Sequence, residues 1–282
     1  MHSYSGGVAA LAIMCGLAAG SVRAAEPEVN ASLLYQDNVS RADLEADRES
    51  DLFARAAVGV QTGSAVGLRG ALWARGDAGA EAAFSFDDLS RAHLGGELGG
   101  SYKIGVGPRA PRLELVVPLE HAWFGDADRN RWLAQPTVRL RKRLSEAFDL
   151  EAFIRHEAAE AGARLFNAEG QEGGLLVRWR GEGAWSLLAG YRLRDGDVVA
   201  YATPPRPDLV AEADVIVTDR KTFDDPMNGY RLEARTHRVH VGAGFALDEQ
   251  SMLEAGYEWQ DTRAGDLQYD DHLVHLGWRR AF

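Results

Sequence analysis

The chain has 282 residues, 31 Lys and Arg against 42 Asp and Glu, a formal charge of −11 and 46% apolar content. A chain this acidic lacks the basic excess that releases phosphate counterions, so sequence-independent nucleic-acid binding is excluded. Mean hydropathy of −0.26, with no apolar run of about eighteen residues beyond the N-terminus, excludes transmembrane helices too; 31 glycines and 7 tryptophans favour strands and turns.

Residues 6–22 are small and apolar, and Val22-Arg23-Ala24 places small residues at the −3 and −1 positions of a signal-peptidase site. The expectation is a signal peptide over 1–24 and a mature domain over 25–282, although Met1 to Ser5 contain no Lys or Arg. The single cysteine, Cys15, follows Met14 and not the small residue of a lipoprotein-processing site. The mature chain therefore has no disulfide, no thiolate metal site and no cysteine nucleophile.

From residue 25 onward the pattern is alternation. Trp185, Leu187, Ala189, Tyr191 and Leu193 oppose Ser186, Gly190, Arg192 and Arg194, and Leu253, Ala255, Tyr257 and Trp259 oppose Glu254, Gly256, Glu258 and Gln260. A strand with one face in lipid and one in a lumen needs this period of two over about 9–11 residues. About twelve segments qualify: 28–36, 50–60, 66–75, 90–104, 112–124, 131–143, 149–157, 171–180, 185–195, 230–247, 252–262 and 270–282. Connectors alternate between short (61–65, 105–111, 144–148, 181–184, 248–251) and longer, more polar ones (37–49, 76–89, 125–130, 158–170, 196–229, 263–269). The predicted fold is all-β: an antiparallel up-and-down transmembrane barrel with short periplasmic turns and longer extracellular loops. Pro118 and Pro136, nearly equidistant from the hairpin centre near Ala127, predict a bulge or weak pairing between their strands.

Val274, Leu276, Trp278 and Phe282 share one face of the last segment. This resembles the terminal strand by which Gram-negative outer-membrane proteins are recognised by their barrel-assembly machinery; Arg280 departs from it at a position usually apolar. The resemblance implies the outer membrane, its lipid and lipopolysaccharide, and that machinery as partners. Aromatic residues agree, with Tyr102, Trp179, Trp185 and Trp278 near a periplasmic rim and Trp123, Trp132, Tyr191 and Trp259 near an outer one.

The long connectors are strongly acidic and the remaining chain basic, through solvation of exposed loops or through divalent-cation bridging to outer-leaflet phosphates. The longest, 196–229, lacks calcium-loop spacing. Its Thr203-Pro204-Pro205-Arg206-Pro207 run favours an extended piece long enough to cover the mouth or enter the lumen.

Inward parity assigns Arg55, Arg69, Arg139, Arg141, Arg155, Arg178, Arg192 and Arg194 to the lumen, with Glu97, Glu114, Glu151, Glu254 and Glu258. Facing guanidinium and carboxylate rows with an arginine surplus suit a small passive pore for polar or anionic solutes; the alternative is that the charges pair across the lumen and fill it. In its arginine lining the chain looks like small twelve-stranded channels for acidic sugars, and in that respect only. The segment Tyr35 to Ala42, with Tyr-x-Asp-Asn-Val, resembles the first hairpin of barrels that accompany surface-polysaccharide export, which implies a non-conducting accessory role with an envelope partner.

A third reading is an outer-membrane hydrolase. The outward histidines His121, His156, His237 and His272 lack the Ser two residues on that outer-membrane phospholipases use. Asp270-Asp271-His272 with Asp87 and Asp88 has omptin-like spacing but lipid-facing parity for 270 and 272. The expectation is therefore no catalytic residue, no cofactor and no metal.

Overall fold

The computed structural model describes residues 25–282, so the expected signal peptide lies outside the described residues. Fourteen strands follow in order: β1 (Glu26–Gln36), β2 (Asp51–Val66), β3 (Gly70–Ala83), β4 (Arg91–Lys103), β5 (Arg112–Phe124), β6 (Arg131–Ala134) and β7 (Thr137–Arg143). Then come β8 (Phe148–Ala161), β9 (Ala168–Arg180), β10 (Trp185–Ala202), β11 (Val215–Asp219), β12 (Met227–Ala246), β13 (Ser251–Ala264) and β14 (Leu267–Ala281).

Each strand pairs antiparallel with its neighbour, and β1 meets β14 with Glu28 opposite Ala281 and Gln36 opposite Leu273, which closes the sheet. Closure leaves no unpaired edge, a requirement for strands in hydrocarbon. β6 and β7 are two halves of one stave, and β11 hairpins onto the top of β12, so the wall has 12 strands.

Alternation sets the two faces. Leu33, Val58, Leu72, Leu98, Leu115, Val138, Ile154, Leu175, Leu187, Val241 and Leu276 are exposed on the outside. In lipid that exposure is burial, and it needs no polar outer face. The aromatic residues assigned to the two rims share this outward parity, whereas Trp73 points inward, its indole filling the space that a Cβ at Gly99 would need. That explains one Gly of the Gly95-Gly96 and Gly99-Gly100 pairs: it lets a luminal side chain lie flat on the wall.

Three expectations are corrected. The polar stretch 61–65 is strand and not turn: Gln61 to Val66 pair with Arg75 to Gly70, and the chain reverses at 67–69, where Gly67 supplies φ 63. Polar composition mimicked a turn, but only Gly67 has the backbone the turn needs. Arg69 consequently sits exposed in this turn and not in the lumen. Most long connectors also shrink, to 84–90, 162–167, 203–226 and 265–266, because the strands continue above the membrane level; β12 spans 20 residues.

At Pro118 and Pro136 the pairing lapses without a bulge. Leu119 faces Ala134 and Val116 faces Thr137, so the register is continuous through the gap. Gln135 N donates to Pro118 O at 3.2 Å and His156 N to Pro136 O at 3.0 Å. Each proline lacks the N–H that would return its bond, so two ladder bonds are missing at one height.

Candidate pore lumen

The side chains placed inward by alternation are ionic, and their partners lie along the wall. Arg55 pairs with Glu81, which also takes Arg91 at 3.4 Å. Arg139 and Arg141 lie 3.5 Å from Glu114 and 3.0 and 2.7 Å from Glu151. Arg155 and Arg238 approach Glu172 at 3.6 and 3.1 Å, Arg192 pairs with Glu258, and Arg194 reaches Glu157 at 2.9 Å. Glu97 accepts the Trp73 indole N–H at 2.9 Å, and Glu254 lies 3.7 Å from Arg279.

Of the thirteen residues assigned inward from the sequence, Arg69 alone lies in a turn; Glu81, Arg91 and Glu157 are not among them and join the same network. Sequence parity also reaches Glu172 and Arg238, which join the same network. Arg41 and Arg129 come from loops, where alternation gives no signal.

Among the described residues, every ion pair between wall strands joins neighbours or strands separated by one. None reaches the opposite wall. The charges line the lumen instead of bridging it.

Three cavities follow one another along the axis. The periplasmic one, of about 340 Å³, is lined by Lys103, Arg112, Arg141, Arg143, Arg178 and Arg180 with Asp149 and Glu151. The middle one, of about 480 Å³, has Arg55, Arg139, Arg155 and Arg192 with Glu151 and Glu258. There His240 and His275 stack at 5.9 Å, with the His275 ring lying over Gly256. The outermost, of about 380 Å³, has Arg41, Arg91, Arg129, Arg131, Arg194 and Arg238 with Glu81, Glu157 and Asp197. Cations outnumber carboxylates in each.

Loops roof the outermost cavity. Phe86, Tyr201, Phe223 and Met227 form a buried cluster with Val39, Leu89 and Phe166, so loops 37–50, 84–90, 162–167 and 203–226 meet over the mouth. Arg129 stacks on Phe166 at 4.4 Å and donates to Tyr201 Oη at 2.6 Å and Thr222 Oγ1 at 3.1 Å. In place of the expected extended piece, loop 203–226 bends at Pro204 and enters helix α1 (Pro207–Glu212) at the end of the proline run, with Pro207 at a tolerated first position. Leu209 of α1 is buried against Ala200, Tyr230, Leu232 and Tyr269 inside the barrel rim. Arg206 forks onto Asp43 at 2.7 and 2.9 Å, tying this loop to loop 37–50.

The histidines weighed for catalysis are engaged elsewhere. His237 and His272 bond Tyr191 and Tyr257 hydroxyls at 2.7 Å, His121 packs between Trp123 and Trp132, and His156 lies 3.9 Å from Glu169. Asp270 pairs with Arg48 at 2.6 Å and lies 3.4 Å from His272, and the two share the outward parity of the exposed Val274 and Leu276. Glu157, next to His156, faces inward to Arg194.

A closed antiparallel barrel with an apolar outside, aromatic rims and a charged interior is an outer-membrane β-barrel, and that is the class of this protein. The sequence matches no protein-family model and no curated protein. Among solved structures it is similar to an outer-membrane channel from Pseudomonas putida F1, with TM-score 0.60, 14% identity, and coverage of 94% of this chain and 97% of that one. It also aligns with the NanC porin (TM-score 0.49, 7% identity, 89% and 98% coverage) and with the β domain of the Bordetella autotransporter BrkA (0.48, 16%, 92% and 100%). The likeness to the Pseudomonas channel is one of fold.

Proposed function

We propose that this barrel is a small passive pore of the outer membrane for polar and anionic solutes. The observation that carries the reading is the wall-hugging ion pairing: an unbridged axis flanked by three successive cavities, each with a cation surplus. Such a lining lowers the barrier for small anions and raises it for cations. In this reading no residue is catalytic and no cofactor or metal is used. The outer face would meet lipid and lipopolysaccharide, and Val274, Leu276, Trp278 and Phe282 would be the face read by the assembly machinery.

The loop roof favours a second reading, a non-conducting accessory barrel of an export system. Single-channel recording of the refolded protein in a planar bilayer under a salt gradient separates the two. Ohmic steps with a reversal potential displaced toward that of the anion are expected. Silence from protein that still shows the heat-modifiable mobility of a folded barrel would move the assignment to the accessory role.

A further inference from the structure

We infer that the periplasmic mouth is a binding site for a multivalent oxyanion of diphosphate size. The inference rests on the barrel's orientation and goes beyond conduction. Registration across β4, β5 and β7 sets Lys103 opposite Arg112 and Arg112 opposite Arg141. Like charges directly opposite each other on neighbouring strands are destabilising. Here three stand in a row, all lining the 340 Å³ cavity.

The carboxylates nearby neutralise only Arg141 of the row, through Glu114 and Glu151. Glu151 takes Arg141 and Arg139, and Asp149 takes Arg143 and Arg180. Arg178, opposite Asp149 in register, joins Lys103 and Arg112 in having no carboxylate partner among the described residues. Elsewhere on the wall Arg55, Arg75, Arg139, Arg155, Arg192, Arg194 and Arg279 each have one.

Uncommitted cations from three strands thus converge on one cavity open to the periplasm. Guanidinium forks match the paired oxygens of a phosphate or carboxylate. Two linked anionic groups would span Arg112 and Arg178 with Lys103 beside them and relieve the repulsion along the row. The arginine-rich outer cavity is roofed by loops, whereas this one is not, so such a ligand enters from the periplasm.

Isothermal titration of the detergent-folded barrel with inorganic pyrophosphate tests this without requiring conduction. A saturable site that weakens as salt is raised is expected, with at least tenfold loss of affinity in R112Q/R178Q and less than twofold change in R75Q, which removes a paired lumen arginine. Heat-modifiable mobility confirms that each variant is folded. Absence of saturable binding, or an equal loss in R75Q, overturns the site while leaving the pore reading intact. A barrel that is silent in a bilayer yet binds pyrophosphate in this pattern sinks the pore and keeps the site.

Discussion

Glu172 shows how the lumen's charge balance depends on single residues. Its buried carboxylate faces Arg155 and Arg238 at once, bridging strands on either side of β10 and β9. Replacing it with glutamine leaves two guanidinium groups facing the axis uncompensated. E172Q is expected to raise the anion-to-cation permeability ratio about twofold or more, read from the reversal potential. It should also cost about 1–3 kcal/mol of barrel stability through the unsatisfied donors, read from urea unfolding in micelles. An unchanged reversal potential would mean that ions pass away from this wall. The inward position of residue 172 follows from alternation in the sequence; its pairing with Arg238 does not, because it depends on shear and on which strands stand two apart. The roles of Arg41 and Arg129, which reach the outer cavity from loops, were not legible because alternation gives no signal there.

At the scale of elements, period-two alternation located every wall strand, since nothing else satisfies both lipid and lumen, but it stopped β2, β3 and β10 well short of their ends. It failed where composition competed with pairing, as at 61–65, and where strands rise above the membrane and no longer need an apolar face, as in the upper parts of β3 and β10. The prolines behaved differently. They predicted a weakness at the right height, and the structure shows two missing ladder bonds without the bulge. Hydrogen–deuterium exchange should find the amides flanking this gap, at Gln135 and His156, among the fastest of the wall. Restoring one donor with P136A, opposite the His156 carbonyl, should slow exchange there and stabilise the barrel by about 0.5–1.5 kcal/mol, the net worth of one hydrogen bond. Slow exchange at both amides in the unaltered protein would show that neighbouring strands already clamp the gap.

On the scale of the whole molecule, charge is sorted along the axis, with bases lining the wall and acids concentrated in the roof, and the roof itself carries opposing titrations. Burial, reinforced by Asp224, Asp225 and Asp47, pushes the Glu49 carboxyl above its ordinary 4.5. The Arg206 hydrogen bond holds Asp208 below its ordinary 3.8. Asp219 is also held low, since hydrogen bonds from Thr222 and Lys221 outweigh its partial burial. A carboxylate raised in the folded state opposes closure while ionised, so the roof tightens as pH falls toward about 4.5 and Glu49 gains its proton. A depressed carboxylate acts in the reverse sense: the contributions of Asp208 and Asp219 are complete above pH 3.8 and are lost as pH drops through their lowered values. Open probability in single-channel records should therefore fall between about pH 7 and 4.5 and recover in stronger acid. E49Q should remove the first limb and keep the second, because it abolishes the repulsion from Asp224 and Asp225 while leaving Arg206 on Asp43 and Asp208. An open probability that stays flat or rises from neutral to pH 4.5 in the unaltered protein would show that loops 37–50 and 203–226 do not gate the lumen.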